Sequence, residues 1–129
     1  MPVPLPETAK RLLDAPTFVT VSTVNPDGGP QATVVWVKRE GDDVLFSTVR
    51  GRRKERNLAR DPRISLSFFD PENPYWYTEL RGAVTVTEDG GPELIQELSQ
   101  KYNGVAYTHD GPDDTRVVVR LTPEKIVGR

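Results

Sequence analysis

The sequence predicts a mainly β domain, a six-stranded barrel with short flanking helices. β-branched residues recur in short alternating runs, and clusters of turn-forming residues separate these runs, as in antiparallel sheets. One run, Tyr75–Thr87, is longer than the five or six residues of an average strand, which indicates a strand bent around a barrel. The chain has 129 residues, 36% of them hydrophobic, and is expected to form one domain over residues 1–129.

A helix and a β-hairpin are predicted first. Pro6–Ala15 places apolar residues at helical spacing, and Pro16 stops the helix. This helix is expected to cap an open edge of the barrel. Thr17–Val24 alternates β-branched residues, the turn formers Asn25–Pro30 follow, and Gln31–Arg39 completes the hairpin.

The middle of the chain is predicted to add two strands and a helix. Val44–Val49 is the third strand, after which Gly51 breaks the pattern. Arg52–Arg60 can form a helix of about two to three turns that ends before Pro62. Arg63–Phe69, with its alternating apolar residues, is the fourth strand.

The C-terminal part is predicted to contain two strands, a helix and two loops. In chain order they are the loop Asp70–Pro74, the strand Tyr75–Thr87, the helix Pro92–Tyr102, the loop Val105–Asp114 and the strand run Thr115–Val127. Gly82 predicts a β-bulge within the long strand, because a glycine inside a strand often marks one. The second loop has a polar, turn-rich composition and is expected to be mobile.

The composition excludes several kinds of site. The chain has no cysteine, which excludes disulfides, thiolate nucleophiles and cysteine-based metal sites. Its one histidine, His109, lies in a polar loop, so neither a histidine metal centre nor a Ser-His-Asp triad is expected. No Walker or GxGxxG motif occurs. No apolar run approaches the roughly 20 residues of a membrane span, so a cytoplasmic protein without membrane contact is expected.

The most informative stretch is the basic segment Arg50–Arg63. It contains seven basic and two acidic residues and carries a charge of +5, whereas the whole chain carries −2. A local positive potential on an acidic chain favours a small anionic ligand over a nucleic acid. The start of the predicted helix adds free N–H groups that can bind an anion. Charge alone fits a solvated charged helix equally well.

Hydroxyl and aromatic side chains near the basic segment extend the candidate site. Ser47 and Thr48 directly precede the turn from Val49 through Gly51 and can bond the same anion. Trp36, and the cluster of Trp76 with its tyrosine neighbours, can wall a planar heterocycle, although buried aromatic residues more often belong to a core. Trp76 and Tyr77 point to opposite faces of their strand, so at least one lies outside the core and favours a partner subunit.

Together these segments resemble the pyridoxamine 5'-phosphate oxidase-like flavin-binding split-barrel family over nearly the whole chain. The matching stretches are FVTVSTVNPDGGPQATVVWV, VLFSTVRGRRKERNLARDPRISLSF, YWYTELRGAVTV and TRVVVRLTPEKIVGR. The most specific feature is the family pattern RxxKxxNLxxDPR, in which Lys54 lies one position farther from Arg50 than the pattern has it. The other matching residues are Arg50, Asn57, Leu58, Asp61, Pro62 and Arg63. More narrowly, the sequence resembles the deazaflavin-dependent branch, which uses coenzyme F420.

The resemblance implies a Greek-key split barrel that forms a homodimer, with two equivalent cofactor sites at the interface. The residues that it assigns to the cofactor phosphate are Ser47, Thr48, Arg52 and Lys54. Arg56 and Asn57 would shape that turn, strand Gln31–Val37 would run beside the ring, and Trp76 or Tyr77 would come from the partner. No catalytic residue and no metal ligand is assigned. The full predicted cofactor-binding set is Gln31, Trp36, Ser47, Thr48, Arg50, Arg52, Arg53, Lys54, Asn57, Trp76 and Tyr77.

The activity that this resemblance implies is hydride transfer from coenzyme F420 to a small organic substrate. Flavin mononucleotide (FMN) is the alternative cofactor, and a non-catalytic carrier of F420 or FMN is the alternative function. The residues that bind pyridoxal in vitamin B6 oxidases are not evident in this sequence, which counts against that activity. Neither a nucleic acid nor a membrane is an expected partner.

Overall fold

A computed structural model describes residues 1–128 of the chain. Within them the chain forms eight strands and three helices, so the predicted mainly β class is confirmed. None of these three helices is long and apolar enough to cross a membrane. The elements are α1 (Glu7–Asp14), β1 (Val19–Val24), β2 (Pro30–Val35), β3 (Val37–Glu40), β4 (Asp43–Val49), α2 (Arg53–Arg60), β5 (Arg63–Asp70), β6 (Asn73–Thr87), α3 (Gly91–Asn103), β7 (Arg116–Leu121) and β8 (Lys125–Gly128).

The predicted number of six strands is wrong, because two of the predicted strands are each divided. Gln31–Arg39 is interrupted at Trp36, where the chain leaves β2 and enters β3. Thr115–Val127 is interrupted around Pro123, which has no N–H to continue a ladder. The other predicted strands and helices agree with the structure to within two residues at each end.

The strands form one antiparallel sheet in the order β2-β1-β5-β6-β7-β4-β3, with β8 paired to β6. Its two end strands, β2 and β3, follow each other directly in the chain at Trp36, although they are not paired. The sheet therefore curls until its edges meet at this joint, which gives the split barrel. Strand β4 lies beside β7 in the order β4-β7-β6-β5, which is a Greek-key arrangement.

Strand β6 has β5 along one side and two successive neighbours along the other. Its middle pairs with β8 and its end pairs with β7. The predicted bulge at Gly82 is wrong, because the β5–β6 ladder continues without a shift through the Ile64–Gly82 pair. Glycine fits this position for another reason. A Cβ there would lie 3.0 Å from the carbonyl oxygen of Thr122, where the chain crosses between β7 and β8.

The predicted loop between β5 and β6 is shorter than expected. β5 extends to Asp70 and β6 starts at Asn73, so only two residues connect them. Oδ1 of Asp70 accepts a hydrogen bond from the N–H of Glu72 at 3.0 Å. The aspartate side chain therefore closes a tight turn, as is common for this residue type.

The main core fills the interior of the curled sheet and is completed by α1. Phe46 and Phe68 are the largest fully buried side chains. The helix adds Ala9, Leu12 and Leu13 at helical spacing, so it covers apolar surface that the sheet leaves open. A second, smaller cluster packs α3 onto the outer face of β4 and β7. This second cluster borders the candidate site.

Two side chains tie the last turn of α3 to the rest of the fold. Nζ of Lys101 donates hydrogen bonds to the carbonyl oxygens of Leu13 at 2.6 Å and Val37 at 2.7 Å. The Tyr102 hydroxyl donates to the carbonyl oxygen of Thr17 at 2.6 Å and accepts from the N–H of Val37 at 3.0 Å. Burial lowers the pKa of Lys101 and raises the pKa of Tyr102. These bonds join α3 to α1 and β3 beside the joint between the sheet edges.

The start of α3 lies so close to β7 that only glycine fits at position 91. A Cβ on Gly91 would overlap the carbonyl oxygen of Arg116. We expect Gly91→Ala to push α3 away from β7 and to lower the free energy of unfolding by about 2 kcal/mol. Gly111→Ala is the matched control, because its Cβ would meet only Asp114 at 3.8 Å. Chemical denaturation measures both variants, and equal stabilities would contradict this close approach.

Candidate functional site

A cleft of about 190 Å³ opens where the turn between β4 and α2 meets β2, β7 and the side of α3. Cationic, hydroxyl, aromatic and aliphatic side chains converge on it. This mixture is typical of sites for small molecules that carry a charged group. The lining residues are Val34, Val35, Trp36, Ser47, Thr48, Arg52, Lys54, Ile95, Leu98, Tyr107 and Arg116.

Other grooves on the surface are larger, but their charges do not converge in the same way. One of about 540 Å³ lies beside the exposed rings of Phe18 and Phe69. Its arginine, Arg11, already pairs with Asp70 at 3.1 Å. The smaller cleft is therefore the better candidate for an anionic ligand.

A tight turn at Gly51 leads from β4 to α2 and is held by Glu55. Gly51 has a φ of +95°, which favours glycine. Its N–H donates to Oε1 of Glu55 at 2.7 Å, and Oε2 of this buried carboxylate lies 3.4 Å from Nη1 of Arg50. Arg50 also pairs with Glu88 at 3.1 Å. Two carboxylates thus neutralise Arg50, which belongs to the predicted set but does not line the cleft.

Two cations of the basic segment face the cleft. They are Arg52, the residue before the first turn of α2, and Lys54 within that turn. Burial, followed by the charges of Arg52 and Arg116, lowers the pKa of Lys54. The three positive charges repel one another in a partly desolvated place. An anion bound between them would relieve that repulsion.

Two hydroxyl residues from β4, Ser47 and Thr48, also line the cleft. Thr48 is 1% exposed, and its Oγ1 is buried without a hydrogen-bond partner in residues 1–128. Buried hydroxyl groups almost always have a partner, and leaving one without costs about 1–3 kcal/mol. Ser47 lies beside it and accepts a long hydrogen bond from Nη1 of Arg116 at 3.3 Å. Ser47 and Thr48 thus line the cleft together with three cations, and the Thr48 hydroxyl has no partner among the described residues.

Trp36 forms the aromatic wall of the cleft. Its ring stacks on Tyr102 with centroids 5.5 Å apart and planes 17° apart. Tyr107 meets it edge-on at 6.3 Å. Ile95 and Leu98 of α3 add apolar surface. A planar ring could rest against this side of the cleft. The assignment of Trp36 to the cofactor ring stays a prediction.

Gln31 and Asn57 belong to the predicted set but lie in a separate polar network. Nδ2 of Asn57 donates to Oγ1 of Thr23 and to Oδ1 of Asn25, both at 3.0 Å. Oγ1 of Thr23 donates in turn to Oε1 of Gln31 at 2.9 Å. This network joins α2 to the β1–β2 hairpin. It holds the helix in place, and the role in shaping the cofactor turn assigned to Asn57 stays a prediction.

Three further predicted residues also lie away from the cleft of this chain. Arg53 is exposed on α2. Trp76 and Tyr77 on β6 are 52% and 41% exposed, so neither belongs to the core. Trp76 lines a separate groove with Leu12 and Val127. The assignment of Trp76 or Tyr77 to the site of a partner subunit stays a prediction.

Four lining residues were not predicted: Ile95, Leu98, Tyr107 and Arg116. The two aliphatic residues look like ordinary core positions of a helix. Arg116 lies diagonally across from Ser47 in the β4–β7 ladder, where Ser47 pairs with Val118. Knowledge of that strand pairing would have identified Arg116, but the sequence alone does not supply it.

The loop between α3 and β7 is held over one side of the cleft by side-chain contacts. Gln96 bonds both the N–H and the carbonyl oxygen of Tyr107, each at 3.0 Å. Oγ of Ser99 donates to the carbonyl oxygen of Val105 at 2.7 Å. The loop contains several acidic residues, yet no group of histidine and acidic side chains within residues 1–128 is arranged to hold a metal ion.

The family model for pyridoxamine 5'-phosphate oxidase matches residues 5–128. A pyridoxine/pyridoxamine 5'-phosphate oxidase from Aeromonas hydrophila is 32% identical over 121 residues, which is 93% of this chain and 51% of that protein. The corresponding oxidase from Citrobacter koseri is 33% identical over 83% of this chain and 43% of its own length. The chain thus spans about half the length of these oxidases.

Solved structures agree with this match. An F420 reductase superposes with a TM-score of 0.84 at 30% identity, covering 97% of this chain and all of that one. A conserved hypothetical protein from Mycobacterium tuberculosis superposes with a TM-score of 0.77 at 23% identity, over 97% of this chain and 84% of that one, and shares the fold. The chain therefore belongs to the pyridoxamine 5'-phosphate oxidase family, as its sequence predicted.

Proposed function

We propose that this protein binds coenzyme F420 with the coenzyme phosphate in the cleft and uses it to reduce a small organic substrate. The observation that carries the proposal is that Arg52 and Lys54 line one cleft with Thr48, whose buried hydroxyl has no hydrogen-bond partner within residues 1–128. A phosphate oxygen accepts hydrogen bonds from all three groups, so it would satisfy the hydroxyl and offset the positive charge. The likeness to an F420 reductase supports the same cofactor class.

The distribution of positive charge favours F420 over FMN. Arg53 and Arg56 are exposed on α2, and neither forms an ion pair within the part of the chain that the structure describes. Positive charge therefore extends from the cleft along the helix surface. FMN carries only one phosphate, whereas the tail of F420 continues beyond its phosphate and ends in carboxylates. The extended cationic surface suits the longer anion.

The size of the cleft supports a site that a second subunit completes. A volume of about 190 Å³ is below the roughly 300 Å³ or more of most small-molecule pockets, so it accounts for the phosphate end of the ligand. The ring would then lie outward, over Val34 and Trp36. Val34 is 62% exposed in the single chain. In the homodimer that we propose, Trp76 or Tyr77 of the partner would cover this surface.

The chemistry divides between the cofactor and the chain. Reduced F420 would supply the hydride when bound and would itself be oxidised. Arg52, Lys54 and Thr48 fix its phosphate end, and Trp36 supports one side of the ring. Fixing both ends orients the reacting face and limits its exposure to water. No side chain of the cleft is assigned as a proton donor, so solvent or Tyr77 supplies the proton in this scheme.

Titration with oxidised and reduced F420, and in parallel with FMN, tests the proposal. Emission from Trp36 and from the deazaflavin reports binding, and turnover of an acceptor panel reports reduction. We expect saturation by F420 at micromolar concentration, and no spectral change would refute the proposal. Tight binding with no acceptor reduced would favour a carrier. A yellow flavin chromophore in the protein as purified would favour FMN.

Replacing both cleft cations is expected to weaken cofactor binding. Charge-assisted hydrogen bonds contribute about 1.5–3 kcal/mol each, so Arg52→Ala combined with Lys54→Ala should raise the dissociation constant by roughly 100-fold or more. Lys125→Ala combined with Arg11→Ala is the charge-matched control on remote surfaces. Fluorescence titration measures both, and unchanged affinity in the cleft variant would refute the phosphate assignment.

The outer arginines provide a test between the two cofactors. Arg53→Gln combined with Arg56→Gln removes only surface charge, which interacts with a ligand by about 0.2–1 kcal/mol per pair. We expect the affinity for F420 to fall about 3- to 10-fold, with a weaker dependence on salt, because its tail carboxylates lose their partners. The affinity for FMN should stay within about twofold. Equal losses for the two cofactors would contradict an extended tail site.

Binding is expected to depend on pH through Lys54. Burial and the neighbouring arginines hold its pKa below the usual value in the free protein, and a bound phosphate would raise it again. The affinity should therefore be constant below the free-state pKa and fall as the pH rises through it. Titrations from about pH 7 to pH 10 measure this fall. Lys54→Arg should abolish it, because arginine stays charged over this range.

A further inference from the structure

Arg116 is a buried cation that the proposed function has not used. It begins β7, is 7% exposed and lines the cleft together with Arg52 and Lys54. Its backbone lies against Gly91, so its position is fixed by the packing of α3 on the sheet. A buried guanidinium group needs partners for its five N–H donors. The arrangement of those partners indicates what the side chain does.

Four of the five donors are directed to residues of the chain. Nε and Nη2 both donate to the carboxylate of Asp110, at 2.9 Å and 2.8 Å. Nη2 also donates to the hydroxyl of Tyr107 at 2.9 Å, and the guanidinium carbon lies 4.9 Å from the centre of that ring. Within residues 1–128, Nη1 makes only the long bond to Ser47 at 3.3 Å. The remaining donor capacity is therefore on Nη1, at the edge that carries the cleft serine.

We propose that Arg116 is a further anion-binding residue of the cleft, donating from Nη1 to the ligand phosphate, and that Asp110 and Tyr107 are positioning residues that orient it. The inference rests on the proposed function, since it concerns the same anion site. It assigns a role to the loop Val105–Asp114, which connects α3 and β7. In this proposal the loop holds the guanidinium of Arg116 so that Nη1 faces the cleft.

The contacts of Arg116 also show whether Asp110 orients the guanidinium or competes with the ligand for it. If Asp110 acted as an internal substitute for the ligand, it would occupy the edge of Arg116 that faces the cleft. It instead occupies the Nε and Nη2 edge and leaves Nη1 beside Ser47. The carboxylate also offsets the charge of the guanidinium, which makes the burial of Arg116 tolerable. A positioning residue should strengthen ligand binding, whereas a competitor should weaken it.

The support itself is anchored to α3. Gln96 holds the backbone of Tyr107 through two hydrogen bonds, and the Tyr107 ring contacts both Trp36 and the guanidinium. The phosphate end and the ring wall of the cleft are therefore fixed by one loop. Loss of Asp110 would release the guanidinium without removing any group that touches the ligand.

Pairs of ligands with and without the phosphate provide the test, and the FMN pair isolates the phosphate itself because the F420 core also lacks the tail. FMN is compared with riboflavin, and F420 with its phosphate-free deazaflavin core, in Arg116→Gln, Arg116→Lys, Asp110→Ala and Asp110→Asn. Asp113→Asn is the control, because Asp113 is exposed in the same loop. A purely structural role would change the affinity for both members of a pair. A phosphate contact changes only the phosphate-bearing member.

We expect Arg116→Gln to weaken the phosphate-bearing ligand about 10-fold or more and the phosphate-free ligand by less than about twofold, with partial recovery in Arg116→Lys. Asp110→Ala should weaken the phosphate-bearing ligand about 3- to 10-fold, and Asp110→Asn by less, because it keeps an acceptor oxygen. Tighter binding in Asp110→Ala would identify a competitor and overturn the proposal. Equal losses for both members of a pair would also overturn it.

Inorganic phosphate separates this inference from the proposed function. Millimolar phosphate should raise the thermal midpoint of the parent protein and of Asp113→Asn, but not of Arg116→Gln. If it does so while neither flavin nor deazaflavin binds, the cofactor proposal fails and the role of Arg116 stands. If phosphate stabilises Arg116→Gln as much as the parent, or stabilises neither, the role of Arg116 is refuted.

Discussion

The positive cleft depends on one buried carboxylate, that of Glu55. By accepting the N–H of Gly51 at 2.7 Å and pairing with Arg50, it holds the turn through which β4 enters α2. The segment Arg50–Arg63 contains seven cations, and the turn separates the first of them from those of the cleft. Arg50 is neutralised, whereas Arg52 and Lys54 line the cleft. An unpaired buried carboxylate would be costly, so the turn and the ion pair stabilise each other.

The fold brings three separate parts of the chain to this turn. β4 supplies the hydroxyl residues, and the start of α2 supplies Arg52 and Lys54. β7 supplies Arg116, whose guanidinium is held by Asp110 of the preceding loop. The joint at Trp36, where the two sheet edges meet, places an aromatic ring beside them. The charged end of the cleft is thus built within one chain. The side beyond Val34 is open, and this is where our proposal requires a second copy.

Much of the fold could be predicted from the sequence, because alternation and turn formers act locally. The division of strands at Trp36 could not, since it depends on where the sheet closes. The same limit applies to the site. Ser47, Thr48, Arg52 and Lys54 adjoin one turn, so their proximity was predictable. Three features depend on partners distant in the chain: the pairing of Arg50 with Glu88, the burial of Asn57 and the position of Arg116, 69 residues after Ser47.

The central claim is that the ligand phosphate satisfies the buried hydroxyl of Thr48 among the cleft cations. A crystal structure of the protein with F420 tests it most directly. The account predicts a phosphate oxygen within about 3 Å of Oγ1 of Thr48, with Lys54 and Arg116 donating to the same group. A phosphate bound elsewhere, for example beside Phe18 and Phe69, with Oγ1 of Thr48 still unpartnered, would contradict it.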